Sequence, residues 1–193
     1  MTLSEIEAAG WAALQQAAAD PHAGFRTVTL CSVDAAAAPQ ARMVVLRACD
    51  PARRTLEIHT DIRSPKWAEL IADRRVTVLG YCAQTRLQLR LPGTATLHGP
   101  ETPTAAAAWD RLPPWTRSTY AGGPPGDERA FAGPGQPLGA EPPADGAGRA
   151  CFGVIVVQAV ALDWFRLQRQ DNRRARFHYG PDGALTAAAW VNP

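Results

Sequence analysis

Lysine is all but missing from this chain: of 20 basic residues only Lys66 is a lysine, and every other one is arginine. Beside abundant alanine, that imbalance reads as a coding bias and carries no functional message. Net charge is equally scant, +2 at neutral pH, too little to argue for nucleic acid or a membrane surface. The densest basic stretch, Arg166, Arg169, Arg173, Arg174 and Arg176, has few interleaved aromatics and is diluted by Asp163 and Asp171, which sets RNA binding aside. No apolar run approaches the roughly 20 residues that span a bilayer. The N-terminus lacks a basic segment followed by an apolar one, so no secretory signal is expected. The four cysteines, Cys31, Cys49, Cys82 and Cys151, form no C-x-x-C pair and read as small buried hydrophobes in a reducing compartment. A cytoplasmic location is the expectation.

What remains is an ordinary globular mixture, 46% hydrophobic and 20% charged over 193 residues, enough for one domain with a substantial core. Ser4 and Glu7 form a capping-box pattern that predicts a helix running to about Ala19. Short β-branched runs follow at FRTVTLCSV, ARMVVLRA and TLEIHT. Ser64-Pro65 reads as a helix start, with Trp67, Leu70 and Ile71 on one apolar face. Strands resume in RVTVLGYCA and in RLQLRLPGTATLHG, where Leu87, Leu89 and Leu91 alternate with Gln88 and Arg90. A short helix is predicted near Thr104–Leu112. The Pro/Gly-rich stretch 113–148 lacks apolar periodicity, with order expected near Trp115 and disorder beyond it. CFGVIVVQAVALDWFRL returns to strand, and RARFHY, a turn at Gly180–Gly183 and ALTAAAW predict a terminal hairpin. Many short strands with few helices between them predict a mainly β fold, an antiparallel barrel with attached helices.

Candidate chemistry lies between Arg42 and Gln88. Lys66 sits in the first turn of a predicted helix, where free N–H groups and the aligned peptide dipoles already favour an anion. A cation there opposes the dipole unless something negative binds nearby, although a solvated surface lysine fits equally well. Arg42 and Arg47 flank Met43-Val44-Val45-Leu46; on a strand, Arg42 shares a face with Val44 and Leu46, and Arg47 with Met43 and Val45. A guanidinium can grip phosphate with two hydrogen bonds, but a strand with charged ends is the plain alternative. Trp164 reads as a core tryptophan, Gln88 as part of a solvent face, and His59 as half-buried, with no metal-ligand spacing around it.

The strings RMVVLR, IHTDIRSPK, RLQLRLPGTA and LDWFRLQRQDNRRARF, in that order, resemble the pyridoxamine 5'-phosphate oxidase family. Their details sit nearer to its poorly characterised flavin-binding branch than to the vitamin-B6 enzyme. The resemblance implies a split β-barrel homodimer with FMN at the subunit interface. It assigns Arg42 and Lys66 to the FMN phosphate, with Ser64 beside them, and runs the backbone from Met43 through Val44, Val45 and Leu46 to Arg47 along the flavin. His59 and Thr60 fall where the family has an aromatic residue and a threonine touching the cofactor. Gln88 matches a glutamine that reaches the ring from the partner subunit, and Trp164 and Arg176 match a tryptophan and an arginine on the ring's other side. Pro65 replaces a basic residue of the oxidase, Asn172-Arg173-Arg174-Ala175 lacks its histidine, and its substrate-phosphate clamp has no match in AAAAWDRLPPWTR. Pyridoxamine-phosphate oxidation therefore does not carry over.

The resulting expectation is an FMN-dependent oxidoreductase acting on a small organic molecule by hydride transfer, with Arg47, Arg174 and Arg176 facing an anionic substrate and no acid/base dyad in view. The alternatives are a non-catalytic FMN carrier or sensor, and a barrel holding a deazaflavin or haem. Lys66→Ala or Arg42→Ala is expected to weaken FMN binding with the fold intact.

Overall fold

The computed structural model describes residues 1–126 and 146–193. The chain opens with helix α1 (Leu3–Ala19), and its cap is shifted from the predicted one. Thr2 is the N-cap: its hydroxyl accepts from the Glu5 N–H, and the Glu5 carboxylate accepts from the Thr2 N–H. Glu7, predicted for that role, is turned inward instead.

Nine antiparallel strands follow: β1 (Thr27–Val33), β2 (Pro39–Asp50), β3 (Thr55–Asp61), β4 (Arg75–Cys82), β5 (Leu87–His98), β6 (Phe152–Ala159), β7 (Ala161–Arg166), β8 (Arg173–Tyr179) and β9 (Leu185–Val191). They form one sheet in the order β4-β1-β2-β3-β6-β5-β7-β8-β9, and a further β4–β5 pairing closes the first six into a barrel. The split lies in β5, which is long enough to serve two neighbours on one edge. Leu87–Arg90 pair with β7, and Gly93–His98 pair with β6. A Cβ at Gly93 would collide with the Gln158 carbonyl, so only glycine allows the backbones to approach at that fork.

Alternation in the strands decides what is inside. Val28, Leu30, Leu46, Leu56, Ile58, Val78, Leu89, Leu91 and Val157 fill the barrel, while α1 adds Ile6, Trp11 and Leu14 to the same core. Helix α2 (Pro65–Ala72) contributes Leu70 to that core. Ile71, predicted on the same face, is 63% exposed, because the next position of a helix is rotated by about 100° and leaves the barrel. Helices α3 (Pro103–Asp110) and α4 (Pro114–Ser118) lie outside the barrel on a second cluster of Trp109, Leu112, Tyr120, Phe152 and Val154. Order near Trp115 thus takes the form of α4; the disorder expected further on falls largely on residues 127–145, outside the described residues. Among the described residues no helix is long and apolar enough to cross a membrane.

Candidate functional site

Closure of the barrel leaves the outward faces of β2 and β3 beside the start of α2 and the segment after α4. Between them lies a cavity of about 320 Å³, at the small end of ligand pockets. Its floor is Met43, Val44, Val45, Arg47, His59 and Thr60, its rim Asp61 and Lys66, and its far wall Thr119, Tyr120 and Pro125. A larger cavity of about 550 Å³ opens at the N-terminal end of α3, lined by Glu101 and Arg149, and it gathers no cluster of like charges.

A backbone irregularity aims Arg47. Leu46 pairs with Ile58 but Ala48 pairs with Glu57, so Arg47 is the extra residue of a β-bulge. Bulges bend a strand and redirect the side chain they carry, and here the arginine lines the cavity. Among the described residues Arg47 makes no ion pair, and neither does Lys66. Lys66 Nζ donates to the Thr60 hydroxyl at 3.1 Å, a neutral partner. Burial, and behind it the Arg42 charge, pushes the Lys66 ammonium below its usual value, against the smaller attractions of Asp61 and Glu69. Two half-buried cations outside any ion pair, with the lining carboxylate Asp61 held by Arg63, make the cavity anion-seeking.

The other predicted residues divide. Arg42 is outside the lining: its Nη2 meets Glu69 Oε2 at 2.7 Å, and its Nη1 donates to the Ser32 hydroxyl, which itself donates to Glu69 at 2.5 Å. Arg42 thereby fastens α2 to the barrel. Leu46 points into the core, as strand alternation requires. Ser64 is the N-cap residue of α2, but its hydroxyl donates to the Asp61 carbonyl at 2.6 Å and makes no cap bond. Gln88, Trp164 and Arg176 lie away from the cavity. In the six-stranded ring β5 is opposite β2, so the outward faces that carry Gln88 and Arg47 diverge. Trp164 is buried in the core near Gly10 of α1, whereas Arg176 and Arg174 join Arg90 around the buried Asp163 carboxylate.

Sequence reasoning missed a polar pair. Glu57 and His59, two residues apart on β3, face the same way, and His59 Nε2 lies 2.9 Å from Glu57 Oε1. Arg111 from the end of α3 holds the same oxygen at 3.3 Å. The His59 bond, reinforced by Arg111, keeps the Glu57 carboxyl below its ordinary range despite burial. His59 Nδ1 is buried and has no partner. The strand period alone marks Glu57 and His59 as neighbours, so this pair was findable. Tyr120 was not, because nothing local ties residue 120 to residues 43–66. No three His, Cys, Asp or Glu side chains among the described residues are grouped to hold a metal.

The unpaired Arg47 and Lys66, the apolar Met43–Val45 stretch and the orphaned His59 nitrogen fit a planar, phosphate-bearing ligand. Residues 8–99 match the family described as pyridoxamine 5'-phosphate oxidase, FMN-binding domain. The fold is similar to that of a pyridoxamine 5'-phosphate oxidase-related, FMN binding protein from Nostoc punctiforme PCC 73102, at 21% identity, covering 96% of each chain with a TM-score of 0.75. It is also similar to PhzG from Burkholderia lata 383, solved with tetrahydrophenazine-1-carboxylic acid, at 15% identity, covering 88% of this chain and 83% of that one with a TM-score of 0.66. At such identities the structural likeness is one of fold. No curated protein matches the chain significantly. In fold, this chain is a pyridoxamine 5'-phosphate oxidase-like split barrel, and its residues 8–99 match the FMN-binding domain of that family.

Proposed function

We propose that the chain binds FMN and serves as an oxidoreductase for a small organic substrate. The observation that carries this reading is the pair of cations, Arg47 and Lys66, that line one cavity without a carboxylate partner. Lys66 and Arg47 hold the phosphate and the negative edge of the ligand; Met43, Val44 and Val45 offer backbone and apolar surface to the ring. FMN, when bound, supplies two-electron chemistry. Glu57 orients His59, and Arg111 orients Glu57, so the pocket floor has a hydrogen-bonding group of defined direction.

The working unit in this reading is a homodimer. Gln88, on β5 at the far side of the ring, and Arg176, on β8 beyond it, lie where one chain cannot bring them to its own cavity. A second copy can, and the cavity's small volume suits half of a shared site. The absorbance spectrum of purified protein, before and after FMN is added, tests the reading. Flavin bands retained through desalting support it; a colourless protein that neither quenches nor shifts added FMN overturns it. Because a deazaflavin also carries phosphate, the titration includes one, and preference for it would replace FMN in the proposal.

Binding should also depend on alkaline pH. The folded state holds the Lys66 proton less firmly than the unfolded chain does, so the ligand-free protein gains stability as pH rises through the window below the ordinary lysine value of 10.5. FMN binding moves oppositely, because the phosphate loses its ammonium partner over that same window. Titrations at rising pH should show affinity falling before 10.5 is reached, and Lys66→Arg should remove the fall, since a guanidinium keeps its charge. A pH-independent affinity in the native protein counts against Lys66 as the phosphate cation.

A further inference from the structure

The far wall of the cavity lies outside the family-matched span, in residues 119–125. Three separate contacts set it. Arg63 Nη2 donates to the carbonyls of Tyr120 at 3.3 Å and Gly122 at 3.0 Å, while the same guanidinium holds both oxygens of the buried Asp61 carboxylate, at 2.6 Å and 3.0 Å. Behind the wall, Gly148 adopts φ +90, and a Cβ there would come within 2.6 Å of Tyr120 C and Ala121 N. The Tyr120 ring itself stands edge-on to Phe152 and Trp109, with centroids 5.1 Å and 6.0 Å away. Backbone carbonyls bound to an arginine, a glycine cradle and an aromatic seat leave the segment little freedom.

We propose that Arg63 is the positioning residue of this wall, and that the wall, with Tyr120 at its centre, determines how firmly the cavity retains a planar anionic ligand. The proposal rests on the FMN reading above for the identity of that ligand. Arg63 acts twice. It ties β3 to the Tyr120–Gly122 backbone, and it neutralises Asp61, a carboxylate that lines the same cavity as Lys66 and Arg47. Without Arg63, the wall is released and an unpaired negative charge faces the site where a phosphate is to bind. Retention of ligand and order of the wall are therefore linked, each stabilising the other.

The two effects separate experimentally. Arg63→Ala frees both the wall and the charge, Asp61→Asn/Arg63→Ala frees only the wall, and Gly148→Ala presses on the wall from behind with no change of charge. Hydrogen exchange of the amides in 119–123 (residues 124 and 125 are prolines) is measured on the 193-residue chain without ligand, and FMN dissociation is measured by stopped flow. All three variants should speed exchange in that segment by about tenfold or more while the barrel strands stay protected. FMN should leave the double variant and Gly148→Ala about tenfold faster than the native protein. Unchanged exchange in Arg63→Ala and in the double variant overturns Arg63 as the positioning residue, whether or not FMN binds. Faster exchange with unaltered FMN dissociation overturns the link to retention. A native protein that binds no FMN instead sinks the reading of function, while the exchange data still decide the role of Arg63. If Arg63→Ala fails to fold, the double variant, which leaves no uncompensated carboxylate, decides the role of Arg63.

Discussion

Lys66→Ala is expected to lower FMN affinity by about tenfold to a hundredfold and to leave the melting temperature of the ligand-free protein unchanged or slightly raised. The affinity loss follows from removing one charge-assisted contact to phosphate, worth about 1.5–3 kcal/mol in a partly desolvated site. The stability expectation follows from what Lys66 touches. Its hydrogen-bond partner is the Thr60 hydroxyl, and burial already disfavours its charge, so the fold without ligand gains little from it. Fluorescence titration of FMN, paired with a thermal melt, checks both halves at once. Arg47→Ala should behave similarly, since it too makes no ion pair among the described residues. Arg42→Ala should not, and here the structure revises the sequence-based expectation of an intact fold. Removing Arg42 leaves Glu69 buried without its cation and loosens α2, so stability falls together with binding. Unchanged FMN titration in both Lys66→Ala and Arg47→Ala would remove this cavity from consideration as the phosphate site.

The largest effect on stability is expected far from the cavity. Glu7, 7% exposed on α1, meets Arg54 Nη2 at 2.9 Å and accepts from the Tyr179 hydroxyl at 3.0 Å. Trp11 Nε1 in turn donates to that hydroxyl at 2.8 Å. The Arg54 guanidinium lies over both rings, 5.3 Å from Trp11 and 4.9 Å from Tyr179. One network thus joins the N-terminal helix, the turn between β2 and β3, and the C-terminal hairpin. Burial, together with the Glu7 charge, pushes the Tyr179 phenol well above its ordinary range, so the hydroxyl remains a donor. Glu7→Ala strands Arg54 between two rings without an anion, and should cost about 3 kcal/mol. For a chain of this size that corresponds to a fall of roughly 10 °C in melting temperature. Glu7→Gln, which keeps an acceptor for Tyr179, should cost less. A denaturation curve for Glu7→Ala that matches the native protein within ~0.5 kcal/mol would show the pair to be screened by solvent.

The sequence by itself determined the barrel and much of its floor. Alternation along TVTLCSV, RMVVLR and RLQLRL is a local property, because successive side chains of a strand face opposite ways whatever lies beyond them. It set Leu89 and Leu91 on one strand face and Met43, Val45 and Arg47 together on another; the structure turns the leucines into the core and the second set to the cavity, and it draws Leu46, expected along the flavin, into the core as well. The Ser64-Pro65-Lys66 helix start was legible for the same reason, since capping chemistry is confined to one turn. Where a local pattern met a tertiary contact, the contact won. Ser4–Glu7 reads as a capping box, yet Thr2 and Glu5 cap the helix, and Glu7 meets Arg54, forty-seven positions away.

Only the tertiary structure decided which charges are free. Arg42, Arg47, Arg63 and Lys66 look alike as cations in a string, yet Glu69 holds Arg42, Asp61 holds Arg63, and the bulge at Arg47 turns its guanidinium into the cavity. The wall at Tyr120 likewise has no local signature, because it is set by contacts with Arg63 and Gly148 that are distant in sequence. Pairing of charges and closure of a wall are long-range events. They depend on which residues the barrel brings together, and no periodicity of 2 or 3.6 residues carries that information.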